Sequence, residues 1–459
     1  MTAEAWAPTA PAQTRHRWRL PTRLRNLELL LLVFACAING AAILLVQLGA
    51  LGHVDFALLY YCAALAALVF LLHVCLRVSA PHADPLILPI VTVLNGLGIA
   101  EIYRIDLELG QSGWQSAGVR QIAWTAIAVA CAIAVILVVR HHRMLQGYTY
   151  LFGIGAIVLL LLPMVPGLGR TVFGARIWIA VGPFSFQPGE VAKLFLAVFF
   201  AGYLVQHRDA LSLVGRTVLG VRLPRLRDMG PILVLWALSM AVIVFQRDLG
   251  TALLYFGLFL VMLYVATGRV SWVAIGVVLF AGGALVASRT LPYVTARFQN
   301  WLDPFNPHVY DATRGSFQLV QGLFGMAYGG ILGTGLGQGR PATVPLAQSD
   351  YIIASLGEEL GLAGLFAILA LYLLFVSRGF RIGFSGRDDF GKLLAVGLAF
   401  TVALQCFIVI GGITRVIPLT GLATPFLAAG GSSLTANWII AALLLRLSDT
   451  VHDQPRVVV

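Results

Sequence analysis

PLAQSDYIIASLGEELG (345–361) runs directly into LAGLFAILALYLLFV (362–376), and that junction decides how the chain is read. The second stretch is an uninterrupted apolar run, while the first places Asp350, Glu358 and Glu359 within ten positions. Only 11% of the 459 residues are charged and 59% are hydrophobic, with a mean hydropathy of +0.88. A soluble domain needs far more charge to cover its surface. Many apolar stretches reach the roughly 20 residues that cross a hydrocarbon core of about 30 Å. A transmembrane barrel would instead show short alternating strands, and none stand out. The expected fold is an all-α polytopic integral membrane protein.

About twelve spans are expected, near 27–51, 56–78, 86–104, 119–139, 148–165, 190–206, 230–246, 249–267, 271–288, 351–376, 392–412 and 433–448. The formal net charge is +11, but the basic residues do not gather on one soluble domain, so nucleic acid is not the expected partner. Arg77, the Arg140–Arg143 cluster, the 208–227 stretch, Arg269 and the 378–392 loop fall on one side, with the Arg-rich N-terminal tail (1–26), Arg446 and the C-terminal tail (449–459). The positive-inside rule makes that side, and both termini, cytoplasmic. The tail lacks a cleavage site and does not read as a removed signal peptide. The five cysteines lie inside apolar runs and suggest neither a disulfide framework nor a metal site.

This threading puts the loops at 105–118, 166–189, 289–350 and 413–432 outside, together with Asp350, Asp248 and Glu190. The longest, 289–350, contains an amphipathic stretch expected to form a short interfacial helix at about 315–327, followed by the turn GGILGTGLGQG. No internal repeat is visible, which argues against an inverted-repeat transporter.

Asp350 admits two readings. It is a helix N-cap or first-turn acid, with Ser349 an alternative cap, or it is a partly desolvated carboxylate able to act as a base at a membrane boundary. On one straight helix, Glu358 and Glu359 would lie about 12 Å further in, at different angles from Asp350. Acids at that depth require a basic partner or a wet cavity. In QPGEVAK (187–193), Glu190 and Lys193 open a span, and Lys193 is available to Glu190, to Asp248 or to a ligand phosphate. In QRDLGT (246–251), Arg247 and Asp248 interrupt a very tight hairpin, where Asn or Gly would turn more cheaply.

The outer loops also carry Arg170, Arg176, Arg289, Arg297, Arg314, Arg340 and Arg415. Guanidinium groups bind phosphate oxygens bidentately, so Arg297, Arg415, Arg247 and Arg176 are candidate diphosphate or glycan ligands. GTGLGQG and AAGGSS follow no strand and are not nucleotide loops. His141 and His142 show no zinc spacing.

The motifs ARIWIAVGPFSFQPGEVAK (175–193), QRDLGTALL (246–254), WLDPFNP (301–307), GGILGTGLGQG (329–339), SDYIIASLGEELGL (349–362) and PFLAAGGSS (425–433) occur together and in order. On them the chain resembles the SEDS family (shape, elongation, division and sporulation), the RodA/FtsW/SpoVE group, across about residues 86–448. The resemblance implies a ten-helix core preceded by an additional two-helix segment at 27–80, as in the actinobacterial RodA branch. It also implies a peptidoglycan glycosyltransferase that polymerises lipid II on the outer face of the cytoplasmic membrane, with a class B penicillin-binding protein as partner. Carried over by motif, Asp350 is the essential acid, and Glu190, Lys193 and Asp248 match functionally sensitive positions; Glu358 is added to them as a supporting polar residue. A divalent cation (Mg2+ or Mn2+) beside Asp350 is left open. The alternatives are a division-type FtsW polymerase, a flippase for the same lipid-linked precursor, and a scaffold that only recruits the partner.

Overall fold

The computed structural model describes residues 22–172, 174–181, 184–212, 214–218, 221–224, 234, 237, 238, 241, 242, 244–312 and 315–452. Counting helices of eight or more residues, the chain forms α1 (Thr22–Leu51), α2 (Phe56–Ser79), α3 (Ile87–Glu108), α4 (Ala117–Val138), α5 (Thr149–Leu161) and α6 (Pro188–Ser212). It continues with α7 (Leu249–Thr267), α8 (Val270–Thr290), α9 (Pro292–Leu302), α10 (Phe317–Gly329), α11 (Ile352–Ser385), α12 (Asp389–Ile413) and α13 (Gly431–His452). Ten of these are long and apolar enough to cross a membrane. The expected fifth span is the shorter helix α5 with its 3-10 extension to Met164. The expected span at 230–246, the tails at 1–21 and 453–459, and Arg314 lie wholly or largely outside the described residues.

The helices sort by what surrounds them. α3, α6, α7, α12 and α13 are buried along most of their length, whereas α1, α2, α4, α8 and α11 turn wide apolar faces outward. A spanning helix must meet all its backbone hydrogen bonds internally, so exposed apolar faces there suit lipid while buried helices can carry polar side chains. Glu190, Lys193, Asp248, Gln405, Asn437 and Arg104 stand on or at the ends of that buried set. α6, α7 and α12 pack on one another, α13 packs on α4, and α11 lies against α12, α3 and α10.

Two features depart from the all-helical expectation. Gly169–Val172, Ala175–Val181 and Phe184–Phe186 form a three-stranded antiparallel sheet between α5 and α6. Val214–Val218 and Val221–Pro224 form a second hairpin. Strands this short are hidden inside windows scaled to a spanning helix.

The second departure is in α11. It is not one straight helix: Gly361 sits at φ +66°, ψ −171° and breaks it. The break frees backbone groups, and the turn after α10 satisfies them. Thr334 and Gly335 amides donate to the Glu358 and Glu359 carbonyls, while the Leu362 and Ala363 amides donate to the Gly330 and Ile331 carbonyls. Residues 362–385 alone are long enough to span. Glu358 and Glu359 therefore belong to the short helical segment before the break, and not to one straight helix with 362–385.

Candidate functional site

Asp350 lies two residues before α11, in the turn that leads into it. The position capping the helix is Tyr351, with no side-chain capping bond, so the N-cap reading of Asp350 fails. Ser349 Oγ donates to the Leu346 carbonyl and, at 2.9 Å, to Asp350 Oδ1, so Ser349 is no cap either. Asp350 is half-buried and makes no ion pair within 4 Å among the described residues. Burial raises its carboxyl above the ordinary range, against the Ser349 hydroxyl and the more distant charge of Arg297.

Arg297 comes from α9. Its Nη1 donates to the Leu419 carbonyl (3.0 Å) and the Thr420 carbonyl (2.7 Å), which pins the 414–421 segment across the site. Burial lowers the guanidinium, while the fields of Asp248, Asp350 and Tyr293 raise it. Gly421, at φ +79°, completes the approach: a Cβ there would stand 3.8 Å from Asp350 Oδ2.

Asp248 caps α7. Its Oδ1 accepts the Thr251 amide (3.0 Å) and its Oδ2 the Thr251 hydroxyl (2.5 Å). Burial raises its carboxyl, opposed by both Thr251 bonds and by Arg297, and reinforced by the charge of Glu190. The hairpin thus holds no Arg247–Asp248 ion pair. Arg247 is exposed, adopts φ +58°, and lies over the Tyr293 ring at 5.8 Å. Left-handed backbone at a non-glycine residue costs roughly 1–2 kcal/mol, and here it separates Arg247 from the buried carboxylate beside it.

Glu190 and Lys193 lie one turn apart on α6. Lys193 Nζ is 2.6 Å from Glu190 Oε2, 2.8 Å from Gln405 Oε1 on α12 and 3.2 Å from Asn437 Oδ1 on α13. Gln405 and Asn437 accept hydrogen bonds from the ammonium, while Glu190 Oε2 stands beside it as an ion-pair partner without a hydrogen bond of its own. Asp350 and Asp248 both lie within the field of Arg297, and Asp248 within that of Glu190, the partner of Lys193, so these five charged groups neighbour one another.

Four sequence candidates stand elsewhere or do other work. Arg415, at φ +62°, donates from Nε and Nη2 to the Trp301 and Leu302 carbonyls, while its own carbonyl accepts Trp301 Nε1. It clasps α9 to the 414–421 segment that Arg297 also holds. Arg176 stands in the first sheet, its Nη2 reaching the Val165 carbonyl at 3.4 Å. Arg247 contacts Tyr293, as above.

Glu358 accepts the Arg340 amide at 2.8 Å and belongs to a second polar cluster. There Glu359 takes Arg104 Nε (3.0 Å) and the Gly337 and Gly339 amides (2.8 and 3.2 Å). The glycine turn is thus a cradle for a carboxylate of its own chain. It also leans on the N-terminal helix: a Cβ at Gly337 would stand 2.8 Å from the Val46 carbonyl, and Gln338 Nε2 bonds the Gly49 carbonyl. Arg104 is the basic partner the acids of α11 required, and nearby Glu101 is fully buried with neither oxygen bonded. Neither residue stood out in sequence, although GIAEIYRID sets them one turn apart in a span.

Among the described residues no three His, Cys, Asp or Glu side chains converge as metal ligands. Asp350 offers a single carboxylate, so a cation there would draw its other ligands from substrate and water.

A family profile described as "Cell cycle protein" and labelled FtsW/RodA/SpoVE matches residues 85–453. The chain is 47% identical over 452 residues to the peptidoglycan glycosyltransferase RodA of Mycobacterium tuberculosis, covering 98% of this chain and 94% of that one. It is 46% identical over 440 residues to RodA of Mycobacterium leprae, covering 95% and 93%. A probable peptidoglycan glycosyltransferase FtsW of Geobacter metallireducens is 32% identical over 329 residues, covering 71% and 84%. Among solved structures, a chain from a peptidoglycan synthase complex, described as coordinating polymerization and crosslinking, aligns with TM-score 0.56 and 26% identity over 87% of this chain and 99% of that one. A mutant of the rod shape determining protein RodA of Thermus thermophilus shares the fold at TM-score 0.57 and 24% identity, over 81% and 99%. With its quoted motifs in order and the profile spanning most of its length, the chain belongs to the FtsW/RodA/SpoVE family.

Proposed function

We propose that the protein is a RodA-type peptidoglycan glycosyltransferase that polymerises lipid II at the outer face of the cytoplasmic membrane and works with a class B penicillin-binding protein. The observation that carries this reading is Asp350: a half-buried carboxylate that caps no helix and makes no ion pair among the described residues, facing the Arg297-held segment at one end of a membrane bundle. Identity to relatives named RodA exceeds that to relatives named FtsW, 47% against 32%, which favours elongation over division. The synthase-complex neighbour, named for polymerization with crosslinking, supports a transpeptidase partner. The positive-inside threading supports an extracytoplasmic site.

The chemistry follows from the charges. A sugar hydroxyl oxygen attacks the anomeric carbon of a lipid-linked sugar, the bond from that carbon to the diphosphate oxygen breaks, and the hydroxyl proton passes to Asp350. A carboxyl raised by burial is a better proton acceptor near neutral pH than an ordinary one. Arg297 supplies fixed positive charge where the diphosphate leaves, and it is already held by two carbonyls, so little reorganisation is needed. The Lys193–Glu190 pair and the Asp248 cap fix α6 and α7 beneath the site. Asp350, with substrate and water oxygens, would hold a divalent cation, which would supply further positive charge at the diphosphate.

The deciding experiment is polymerisation of lipid II by the purified chain, with and without its partner. Glycan strands that disappear with Asp350→Ala support the reading. Transport of the lipid without polymerisation would establish a flippase instead, and wall synthesis that survives Asp350→Ala would leave only a scaffold.

A further inference from the structure

Thr420 lies at the centre of the site, yet nothing so far gives its side chain a task. Its carbonyl accepts Arg297 Nη1, and the next residue, Gly421, is the one that approaches Asp350. On its other side it packs onto Gly250, two residues beyond Asp248, where a Cβ would come within 3.0 Å of Thr420 Cβ. The residue is 5% exposed, and its Oγ1 has no hydrogen-bond partner. Buried threonines within the helices direct their hydroxyls to a carbonyl one turn back, as Thr125, Thr401 and Thr435 do. Thr420 sits in a non-helical segment and lacks that outlet.

A buried hydroxyl left unbonded is costly, and the cost is recovered when a ligand supplies the missing partner. We propose that Thr420 is a substrate-binding residue whose hydroxyl hydrogen-bonds the saccharide–diphosphate headgroup of the lipid-linked substrate beside Asp350. The inference rests on the glycosyltransferase reading for the identity of that headgroup. The hydroxyl can donate to a phosphate oxygen or exchange bonds with a sugar hydroxyl, and either role ends when the oxygen is removed.

The test uses the full chain with its partner and three variants: Thr420→Val, Thr420→Ser and, as a control in the same segment, Thr414→Val. Lipid II binding is followed by ligand-dependent thermal shift, separately from polymerisation kinetics. Thr420→Val should weaken lipid II binding and kcat/KM about tenfold, while Thr420→Ser and Thr414→Val stay near wild type. Because the wild-type hydroxyl is unbonded, the ligand-free Thr420→Val protein should melt at the same temperature as wild type or higher. Undecaprenyl diphosphate, which lacks the sugars, separates the two contacts: weakened binding of it places the bond on the diphosphate, and unchanged binding places it on the saccharide. Wild-type lipid II affinity in Thr420→Val overturns the inference, as does a lowered melting temperature in that variant, which would mark a structural bond. If the wild type binds lipid II but never polymerises it, the enzyme reading falls and the affinities alone judge Thr420. If it binds no lipid II, both fall.

Discussion

Lys193 Nζ stands 2.6 Å from Glu190 Oε2 inside the bundle, with both side chains almost wholly buried. Removing one partner of such a pair strands the other's charge, which typically costs about 3–5 kcal/mol. Lys193→Met should therefore lower the melting temperature sharply. Lys193→Met combined with Glu190→Gln should regain most of the loss, since no charge is left unpaired. Equal destabilisation by the single and double variants, measured in detergent, would show that the pair is not the source of the cost.

Asp350 makes the opposite prediction. It caps nothing, makes no ion pair among the described residues, and accepts only the hydroxyl of its neighbour Ser349, so Asp350→Ala should melt within about 0.5 kcal/mol of wild type. Polymerisation should fall by about 10²–10⁴-fold, the range for loss of a general base. A thermal scan beside a lipid II assay checks both halves. A variant that loses activity only because it unfolds would remove the argument for a catalytic role.

The break in α11 depends on Gly361. Its φ and ψ belong to a region that only glycine occupies readily, and an added Cβ would sit 2.2 Å from the Gly333 amide nitrogen. Gly361→Ala should cost at least about 2 kcal/mol. Gly40→Ala, in α1 with open space around the new methyl, should be neutral or slightly stabilising. Comparable melting temperatures for the two variants would mean that α11 can straighten without loss.

Much of this was legible in sequence because helical spans announce themselves by length. The span expected at 351–376 is the first part of Ile352–Ser385, and the interfacial helix expected at about 315–327 is Phe317–Gly329. Lys193 drew notice because a lysine among apolar residues demands a partner, and Glu190 one turn earlier was among those expected. What could not be read was long-range pairing. Arg104 meets Glu359 across 255 positions, and Arg297 reaches carbonyls more than 120 positions away. Straight-helix geometry also does not anticipate a break at a single glycine of positive φ, Gly361, just beyond Glu358 and Glu359. Charge alone names Arg415 a candidate phosphate ligand, and its bonds to the Trp301 and Leu302 carbonyls are a further role that sequence does not show.

Arg297 links geometry to pH. Burial holds the Asp350 carboxyl above its ordinary range, and the Arg297 charge moderates that rise. A base must be ionised to act, so activity climbs with pH through the Asp350 pKa and is lost below it. Arg297→Gln removes the moderating charge, the carboxyl rises further, and the acidic limb of kcat/KM should move to higher pH. Raising the pH should then recover part of the activity, leaving a pH-independent deficit of about 10²–10³-fold from the missing charge at the leaving group. Arg297→Lys keeps the charge and should shift the limb less. Profiles of kcat/KM against pH for the three proteins decide the matter: a limb that stays in place in Arg297→Gln would mean that the titrating base is not Asp350.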